Sequence, residues 1–192
     1  RPCAMVTLAR VRPDGTFYDP FGGSGSLLIE AAMLARNIAP GIRRRFVSEG
    51  FPLFGEGLWE RERDRARSLE RKNTPFTATG YDIDPEAVAL TAENAEKAGV
   101  RTSVCALRRD IGDFREDSEY GCVVCNPPYG ERPMNIRQAT ELHPVKGERF
   151  ERKRGRSYAL STTQDDFERP FGRRADKKRK RIHCTIQRQL SH

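Results

Sequence analysis

The chain has 192 residues, a net charge of +8, and 36% hydrophobic against 32% charged residues. This length predicts one domain over residues 1–192, with its core confined to a sheet and the helices that flank it. No stretch approaches the roughly 20 apolar residues of a membrane span, and no signal peptide is recognisable. Because the five cysteines are odd in number and scattered, they fit a reducing compartment. The composition therefore predicts a cytoplasmic protein that has no membrane partner.

The first motif reads as strand, glycine turn and helix. T-F-Y at 16–18 is apolar, D-P-F-G-G-S-G-S follows at 19–26, and apolar residues then recur at helical spacing from Leu27 to Ile38. The glycines allow the backbone to approach a ligand closely. A dinucleotide site is the competing interpretation, but its fingerprint needs a small residue where this chain has Leu28.

A second strand and helix follow at 77–99. T-A-T-G-Y at 77–81 predicts the strand, Asp84 and Pro85 predict the start of a helix, and Gly99 predicts its end. An acid at the end of the second strand of a doubly wound sheet can hold both ribose hydroxyls, and this role falls to Asp82. For Asp84 we favour a helix cap.

Residues 102–109 predict a third strand, which Asp110 follows. From the residues alone Asp110 reads as an ordinary loop aspartate, and Asp113 nearby leaves open which of the two acids would have a further role. The apolar run C-V-V-C at 122–125 predicts a buried strand. Its two cysteines have no second pair beside them, so we expect them to pack in the core and we expect no metal site.

The stretch Asn126, Pro127, Pro128 and Tyr129 follows that run directly. Two prolines fix an extended bend and remove backbone donors. The Asn126 amide oxygen and the Pro127 carbonyl can each accept one N–H of an exocyclic amine, and Tyr129 offers a stacking face. This combination suits a planar base that carries an amino group.

N-P-P-Y resembles the signature of S-adenosylmethionine-dependent enzymes that methylate exocyclic amino nitrogens of nucleobases. Three longer runs, at 30–41, 126–132 and 167–180, resemble the bacterial and archaeal large-subunit ribosomal RNA guanine methyltransferases, formerly labelled adenine-specific DNA methylases. The resemblance implies a Rossmann-like class I methyltransferase fold of the α/β class, with a mixed seven-stranded sheet and helices on both faces. It also implies S-adenosyl-L-methionine as cofactor and RNA as partner.

The resemblance places site residues on this sequence by motif. The cofactor would be bound by Asp19, Phe21, Gly23, Gly25, Asp82, Ile83, Asp110, Ile111 and Asn126. The catalytic residues would be Asn126, Pro127, Pro128 and Tyr129. Members usually carry an N-terminal RNA-binding THUMP domain, which is absent from this chain, so we expect the chain to be N-terminally incomplete.

The excess positive charge lies in residues 143–192, which hold 15 basic and 6 acidic residues. We predict phosphate contacts from the densest run, through Arg173, Arg174, Lys177, Lys178, Arg179 and Lys180. A solvated face or a localisation signal is the alternative interpretation of this run. The same region predicts a strand at 157–161, a short helix at 165–172 and a final strand at 182–186.

An insertion at about 40–75 carries several aromatic residues. It would form a lid or an RNA-facing surface, or would pack over the sheet edge, and we favour packing. The function predicted from the whole sequence is methylation of a base amino group in RNA, with guanine in large-subunit ribosomal RNA favoured. The alternatives are an adenine-specific DNA methyltransferase, a tRNA guanine methyltransferase and a noncatalytic RNA-binding module.

Overall fold

The computed structural model describes residues 2–110, 113–114, 118 and 120–125, together with strands at 156–162, 178–183 and 186–191. The helices are α1 (Pro2–Leu8), α2 (Ser26–Ala35), α3 (Leu58–Ser68) and α4 (Pro85–Ala98). The strands are β1 (Thr16–Asp19), β2 (Thr77–Asp82), β3 (Val104–Arg108), β4 (Gly121–Cys125), β5 (Arg156–Thr162), β6 (Lys178–His183) and β7 (Ile186–Ser191). No helix within these ranges combines the length and the apolar character that a membrane span requires.

The described strands form one sheet in the order β3-β2-β1-β4-β5-β7-β6. The first five of these strands run parallel, and β7 pairs antiparallel with both β5 and β6. The strand order reverses between β1 and β4, so the sheet has its topological switch point there. Ligands of open α/β sheets bind beside such a point, at the carboxyl edge of the strands. This is the mixed α/β sheet that the sequence predicted.

Alternating residues of the strands build two apolar layers on opposite faces of the sheet. Phe17, Ala78 and Val124 face the larger layer, which α1 and α2 cover together with Ala95 of α4. A smaller cluster on the other face contains Tyr18, Tyr81, Val123 and Phe114. β4 lies between β1 and β5 and its residues Cys122, Val123 and Val124 are buried, as expected for the apolar sequence of a central strand that is covered on both faces.

Helix α2 approaches the sheet closely because β2 contains a glycine. Leu28 is fully buried, and its Cδ1 would lie 2.5 Å from a Cβ placed on Gly80. In the dinucleotide fingerprint a small residue on the helix provides this close approach. Here the small residue is on the strand instead, so Leu28 fits without a glycine at its own position.

The predicted elements agree with the structure through β5, with small shifts at their ends. The third strand begins at Val104, later than predicted, because residues Arg101–Ser103 form a single 3₁₀ turn before it. The predicted final strand at 182–186 is wrong. β6 ends at His183 and β7 begins at Ile186, so those residues span the connection of an antiparallel pair. The helix predicted at 165–172 lies outside the described residues.

The insertion lies at the amino edge of the sheet. Helix α4 runs from the carboxyl end of β2 back to the start of β3, so its last turn is at that edge. Arg43 of the insertion donates to the carbonyl oxygen of Lys97 at 3.4 Å, in that last turn. Asn37 donates to the carbonyl oxygen of Leu69 at 3.0 Å, which closes the insertion on itself. These contacts agree with packing and place the described insertion far from the carboxyl edge.

Candidate functional site

Three acidic residues follow the carboxyl ends of three neighbouring parallel strands. Asp19 is the last residue of β1, Asp82 is the last residue of β2, and Asp110 lies two residues beyond β3. The amide of Arg109 donates to the carbonyl oxygen of Asp82 at 3.0 Å, which holds the chain after β3 against the end of β2. The acids that were predicted to bind one ligand therefore share one edge of the sheet.

The glycine loop (residues 20–25) is fastened to the end of β2. The amide of Gly22 donates to the carbonyl oxygen of Tyr81 at 2.8 Å, and the amide of Gly23 donates to Oδ2 of Asp82 at 3.0 Å. The other oxygen of Asp82, Oδ1, accepts from the amide of Asp84 at 2.9 Å. Each carboxylate oxygen has room for more than one hydrogen bond. Asp82 is thus held fixed and keeps capacity to accept two hydroxyl groups.

Helix α4 holds the glycine loop from behind through two polar side chains. Oγ1 of Thr91 donates to the carbonyl oxygen of Gly23 at 3.0 Å, and Nδ2 of Asn94 donates to the carbonyl oxygen of Ser24 at 3.0 Å. Gly25 has φ 75°, and a Cβ there would lie 2.6 Å from Cγ2 of Thr91. The glycine at this position is required both by the left-handed backbone and by the close approach of α4.

Asp19 is a buried carboxyl group, with only 2% of its surface exposed. Burial raises the pKa of Asp19 to about 7, with a smaller upward contribution from the nearby Asp82 charge and against the lowering effect of a hydrogen bond from the amide of Phe21. That amide donates to Oδ1 of Asp19 at 3.0 Å. A carboxyl group that is costly to ionise in the free protein is well suited to meet a positively charged ligand group.

Space beside the loop is open among the described residues. A Cβ on Gly23 would meet only the carbonyl oxygen of Phe21, at 3.9 Å. Ile83 follows Asp82 and is 54% exposed, although it is a large apolar residue. An exposed apolar side chain beside a fixed carboxylate matches the two ends of a nucleoside, whose base is planar and whose sugar carries hydroxyl groups.

The cap predicted at Asp84 is confirmed. Its Oδ1 accepts from the amide of Glu86 at 2.9 Å at the start of α4, and Gly99 follows the helix with φ 73°. The inner face of α4 is not a row of large apolar residues, because Leu90 is 44% exposed whereas Thr91 and Ala95 are buried. Small and polar residues form the inner face of α4 because backbone of the glycine loop lies against it.

No role for Thr91 or Asn94 was apparent from the sequence, whereas the structure joins both to the glycine loop. Their spacing of three residues on a predicted helix places them on one face, and this was the available signal. Cys122 is buried and its thiol donates to the carbonyl oxygen of Ala9 at 3.2 Å, as expected for a packing residue. Among the described residues no group of three potential metal ligands occurs.

Several predicted residues lie outside the described part of the chain. These are Ile111, the catalytic residues Asn126, Pro127, Pro128 and Tyr129, and three of the basic residues, Arg173, Arg174 and Lys177. Lys178, Arg179 and Lys180 fall in β6, the edge strand of the sheet. β4 pairs in parallel with β1 and ends at Cys125, so the chain leaves β4 at the edge where Asp19 ends β1.

A groove of about 340 Å³ lies elsewhere, between α1, α2 and α3. Residues such as Val6, Met33 and Leu69 line it, and none of the predicted site residues does. Because the groove contains none of the predicted site residues, it is a separate feature of the surface. Its size does not argue against the carboxyl edge as the functional site.

Comparison with known families identifies the family of this chain. A family model described as UPF0020, an RMKL-like methyltransferase domain, matches residues 2–191. The chain belongs to this family. YpsC of Bacillus subtilis is 38% identical over 177 residues, which cover 92% of this chain and 46% of YpsC. The ribosomal RNA large subunit methyltransferase K/L of Legionella pneumophila (strain Lens) is 38% identical over 162 residues, covering 83% of this chain and 23% of that enzyme.

Solved structures of similar proteins have the same fold. The crystal structure of SMU.472 complexed with SAH has a TM-score of 0.89 and 35% identity, and covers 99% of this chain and 50% of that chain. TrmN from Thermus thermophilus has a TM-score of 0.61 at 17% identity, a likeness of fold alone. The chain thus spans about half the length of YpsC and about a quarter of the length of the Legionella enzyme.

Proposed function

We propose that this UPF0020 domain catalyses S-adenosylmethionine-dependent methylation of an exocyclic amino group of a base in RNA, with guanine in large-subunit ribosomal RNA as the favoured target. The observation that carries the proposal is the hydrogen bond between Gly23 and Asp82, which joins a glycine loop and a fixed carboxylate at the switch point of the sheet. Relatives that are named ribosomal RNA methyltransferases support RNA as the substrate class. We propose the cytoplasm as the compartment.

The donor set fits S-adenosylmethionine. Asp82 keeps an unused lone pair on each oxygen, which suits the two ribose hydroxyls. Ile83 offers an apolar face to the adenine ring. Asp110 follows the next strand of the sheet, and we assign Asp110 and Ile111 to the base. Asp19, with Phe21, Gly23 and Gly25, lies on the side of the methionine group, whose ammonium would favour the ionised carboxylate of Asp19.

The acceptor side of the reaction is assigned to Asn126, Pro127, Pro128 and Tyr129. When bound, S-adenosylmethionine would supply a methyl group on a positively charged sulfur; transfer would release the thioether, and the acceptor nitrogen would lose one proton to solvent. The Asn126 amide oxygen and the Pro127 carbonyl accept the two N–H groups of the amine, which orients the nitrogen lone pair toward the methyl carbon. Pro128 stiffens this corner, and Tyr129 stacks on the extruded base.

The basic run is assigned to the RNA backbone. Arg173, Arg174 and Lys177 precede β6 in the sequence, and Lys178, Arg179 and Lys180 are its first three residues. Basic residues on an edge strand also discourage pairing with other sheets, which is the competing explanation for this composition. A phosphate contact makes a distinct prediction, because replacing Lys178 and Lys180 by Gln should weaken RNA binding and lower its salt dependence.

The test compares methyl transfer with cofactor affinity in variants of Asn126 and Tyr129. Purified protein is incubated with labelled S-adenosylmethionine and with unmodified ribosomal RNA, transfer RNA or DNA, and the modified base is identified by mass spectrometry. Asn126→Ala is expected to lower transfer by at least about a hundredfold, because one acceptor for the amine is lost. The family resemblance also places Asn126 among the cofactor-binding residues, but Asp19, Asp82 and the glycine loop are assigned most of that ligand. The affinity of Asn126→Ala for S-adenosylhomocysteine is therefore expected to stay within about threefold of wild type, a shift of under about 0.7 kcal/mol.

Tyr129 offers the matched comparison. Tyr129→Phe keeps the stacking ring and is expected to retain most activity, whereas Tyr129→Ala is expected to raise KM for RNA. Equal loss of affinity and of transfer in Asn126→Ala would show that Asn126 has been assigned the wrong role. If the product were methylated adenine in DNA, with none in RNA, the proposed function would be wrong and the protein would be a DNA methyltransferase.

A further inference from the structure

The glycine loop is held from two sides, and only one of these sides belongs to the ligand site. Asp82 and the carbonyl of Tyr81 bind the amides of Gly23 and Gly22 at the end of β2. Thr91 and Asn94 bind the next two carbonyl groups, those of Gly23 and Ser24, from α4. Both faces of the peptide units in this loop are therefore fixed by hydrogen bonds before any ligand is bound.

We propose that Thr91 and Asn94 are positioning residues that set the shape of the glycine loop for the methionine end of the cofactor. This inference rests on the proposed function, because it assigns the loop to S-adenosylmethionine. Neither side chain touches the open side of the loop, since both donate to carbonyl groups that point toward α4. Their effect on the ligand is therefore indirect and acts through the backbone of residues 23–25.

Burial makes the Thr91 hydrogen bond hard to replace. Thr91 is 1% exposed, so without its hydroxyl group the carbonyl of Gly23 would face a methyl group instead of a donor. An unsatisfied buried carbonyl group favours rotation of its peptide unit toward another donor. Such a rotation would also turn the amide of Ser24, which belongs to the same peptide unit, and would alter the surface that the ligand meets.

Gly25 and Thr91 fit each other sterically as well. The Cγ2 atom of Thr91 occupies the space that a Cβ on residue 25 would need. Gly25 is also the residue that precedes α2, with a left-handed backbone, and it fixes the direction in which the loop enters that helix. The hydroxyl group of Thr91 therefore holds the loop while its methyl group limits how closely the loop approaches.

The two functions of Thr91 can be separated by substitution. Thr91→Val keeps the shape of the side chain and removes the donor, whereas Thr91→Ser keeps the donor and removes the methyl group. Asn94→Asp is nearly isosteric and places a carboxylate against the carbonyl of Ser24, so it removes the second hydrogen bond. Glu93→Gln is the control on α4, because Glu93 is exposed and pairs with Lys97 on the outer face.

Calorimetric titration with two ligands tests the positioning role. S-adenosylhomocysteine contains both the adenosine and the amino acid parts, and 5′-methylthioadenosine lacks the amino acid. For Thr91→Val and Asn94→Asp we expect about tenfold weaker binding of S-adenosylhomocysteine, the loss of one hydrogen bond, and at most about twofold weaker binding of methylthioadenosine. Thr91→Ser and Glu93→Gln are expected to bind both ligands within about twofold of wild type.

Amide hydrogen exchange of the ligand-free proteins gives an independent readout. The amide of Gly23 donates to Asp82, and the amide of Gly25 donates to the carbonyl oxygen of Gly22. Hydrogen exchange of both amides should become at least about tenfold faster in Thr91→Val and Asn94→Asp. Amides in the middle of α4 should keep their wild-type rates, which would show that the helix itself is intact. Unchanged loop exchange, or equal weakening of both ligands, would overturn the positioning role.

The two proposals fail in different ways. If wild-type protein bound neither ligand, the proposed function would be wrong, and the exchange rates would still decide whether Thr91 and Asn94 shape the loop. If wild type bound S-adenosylhomocysteine while Thr91→Val bound it equally well, the proposed function would stand and the positioning role would be wrong.

Discussion

The amide of Gly23 donates a hydrogen bond to Oδ2 of Asp82 at 3.0 Å, across 59 residues of sequence. This bond connects the two motifs that we propose to bind opposite ends of S-adenosylmethionine. It also orients the carboxylate of Asp82, whose other oxygen accepts from the amide of Asp84. Asp82, which we assign to the ribose, is therefore connected to the glycine loop. A substitution in either should change the position of the other.

Replacing Asp82 by Asn should weaken binding of S-adenosylhomocysteine by about tenfold or more. An amide has one accepting oxygen, so its NH₂ group would face either the amide of Gly23 or that of Asp84, and one ribose hydroxyl would lose its acceptor. Calorimetric titration measures the effect.

Asp84→Asn is the matched control for that measurement. Asp84 caps α4 through Oδ1, and Asn caps helices about as well as Asp. We expect its cofactor affinity and melting temperature to stay near the wild-type values. If the two variants weakened binding equally, Asp82 would have no special part in holding the ribose.

Asp19 should make the stability of the free protein depend on pH. Its pKa is raised to about 7 by burial, so the folded protein holds a proton that the unfolded chain releases above pH 3.8. This contribution to stability is complete below pH 3.8 and is lost as pH rises through about 7, at roughly 1.4 kcal/mol per pH unit. Wild type should therefore be less stable at pH 8 than at pH 5.5.

Asp19→Asn removes the ionisation and keeps an oxygen for the amide of Phe21. We expect this variant to melt at a higher temperature than wild type at pH 8, with a flatter pH dependence, and to bind S-adenosylhomocysteine more weakly. Scanning calorimetry from pH 5.5 to 8 measures the first effect and titration the second. An unchanged pH slope in the variant would mean that Asp19 titrates at an ordinary pKa.

How far the sequence predicted this site depends on how local each signal is. Asp84, Pro85 and Gly99 mark the ends of α4 through bonds to near neighbours, so their roles were readable from the sequence. The bond from Thr91 to Gly23 joins residues 68 apart, and its existence depends on how closely α4 packs on the loop. For the same reason the strand predicted at 182–186 was wrong, because pairing with β5 and between β6 and β7 decides where those strands lie.

Gly25→Ala should destabilise the protein more than Gly99→Ala. Both glycines have similar left-handed φ values, 75° and 73°, and the backbone cost for alanine is about 1 kcal/mol at each. At Gly25 the new Cβ would also meet Thr91, a buried side chain that cannot withdraw, whereas at Gly99 it meets the flexible end of Arg43. We expect an additional loss of about 1–3 kcal/mol at Gly25.

Urea unfolding of both variants measures this difference directly. The Gly99→Ala variant should also bind S-adenosylhomocysteine normally, because Gly99 lies at the opposite end of α4 from the site. Equal losses of stability at the two positions would show that the loop can move away from α4 at little cost.

Glu49 in the insertion should matter for stability and not for cofactor binding. Its Oε1 accepts from the amide of Phe46 at 2.8 Å and pairs with Arg63, whose guanidinium lies 6.0 Å from the ring centre of Trp59. Glu49→Gln keeps the bond to Phe46 and loses the ion pair, and Glu49→Ala loses both. We expect melting temperatures to fall in the order wild type, Gln, Ala at pH 7.

The pH dependence of that difference has a defined sign. The hydrogen bond from Arg63 lowers the pKa of Glu49 below 4.5, so the ion pair stabilises the protein above that pH and is lost as pH falls through the lowered pKa. The gap between wild type and Glu49→Gln should therefore close in acid. Affinity for S-adenosylhomocysteine should be unchanged in both variants, since the insertion packs at the amino edge of the sheet; a fivefold change would mean that the insertion reaches the cofactor.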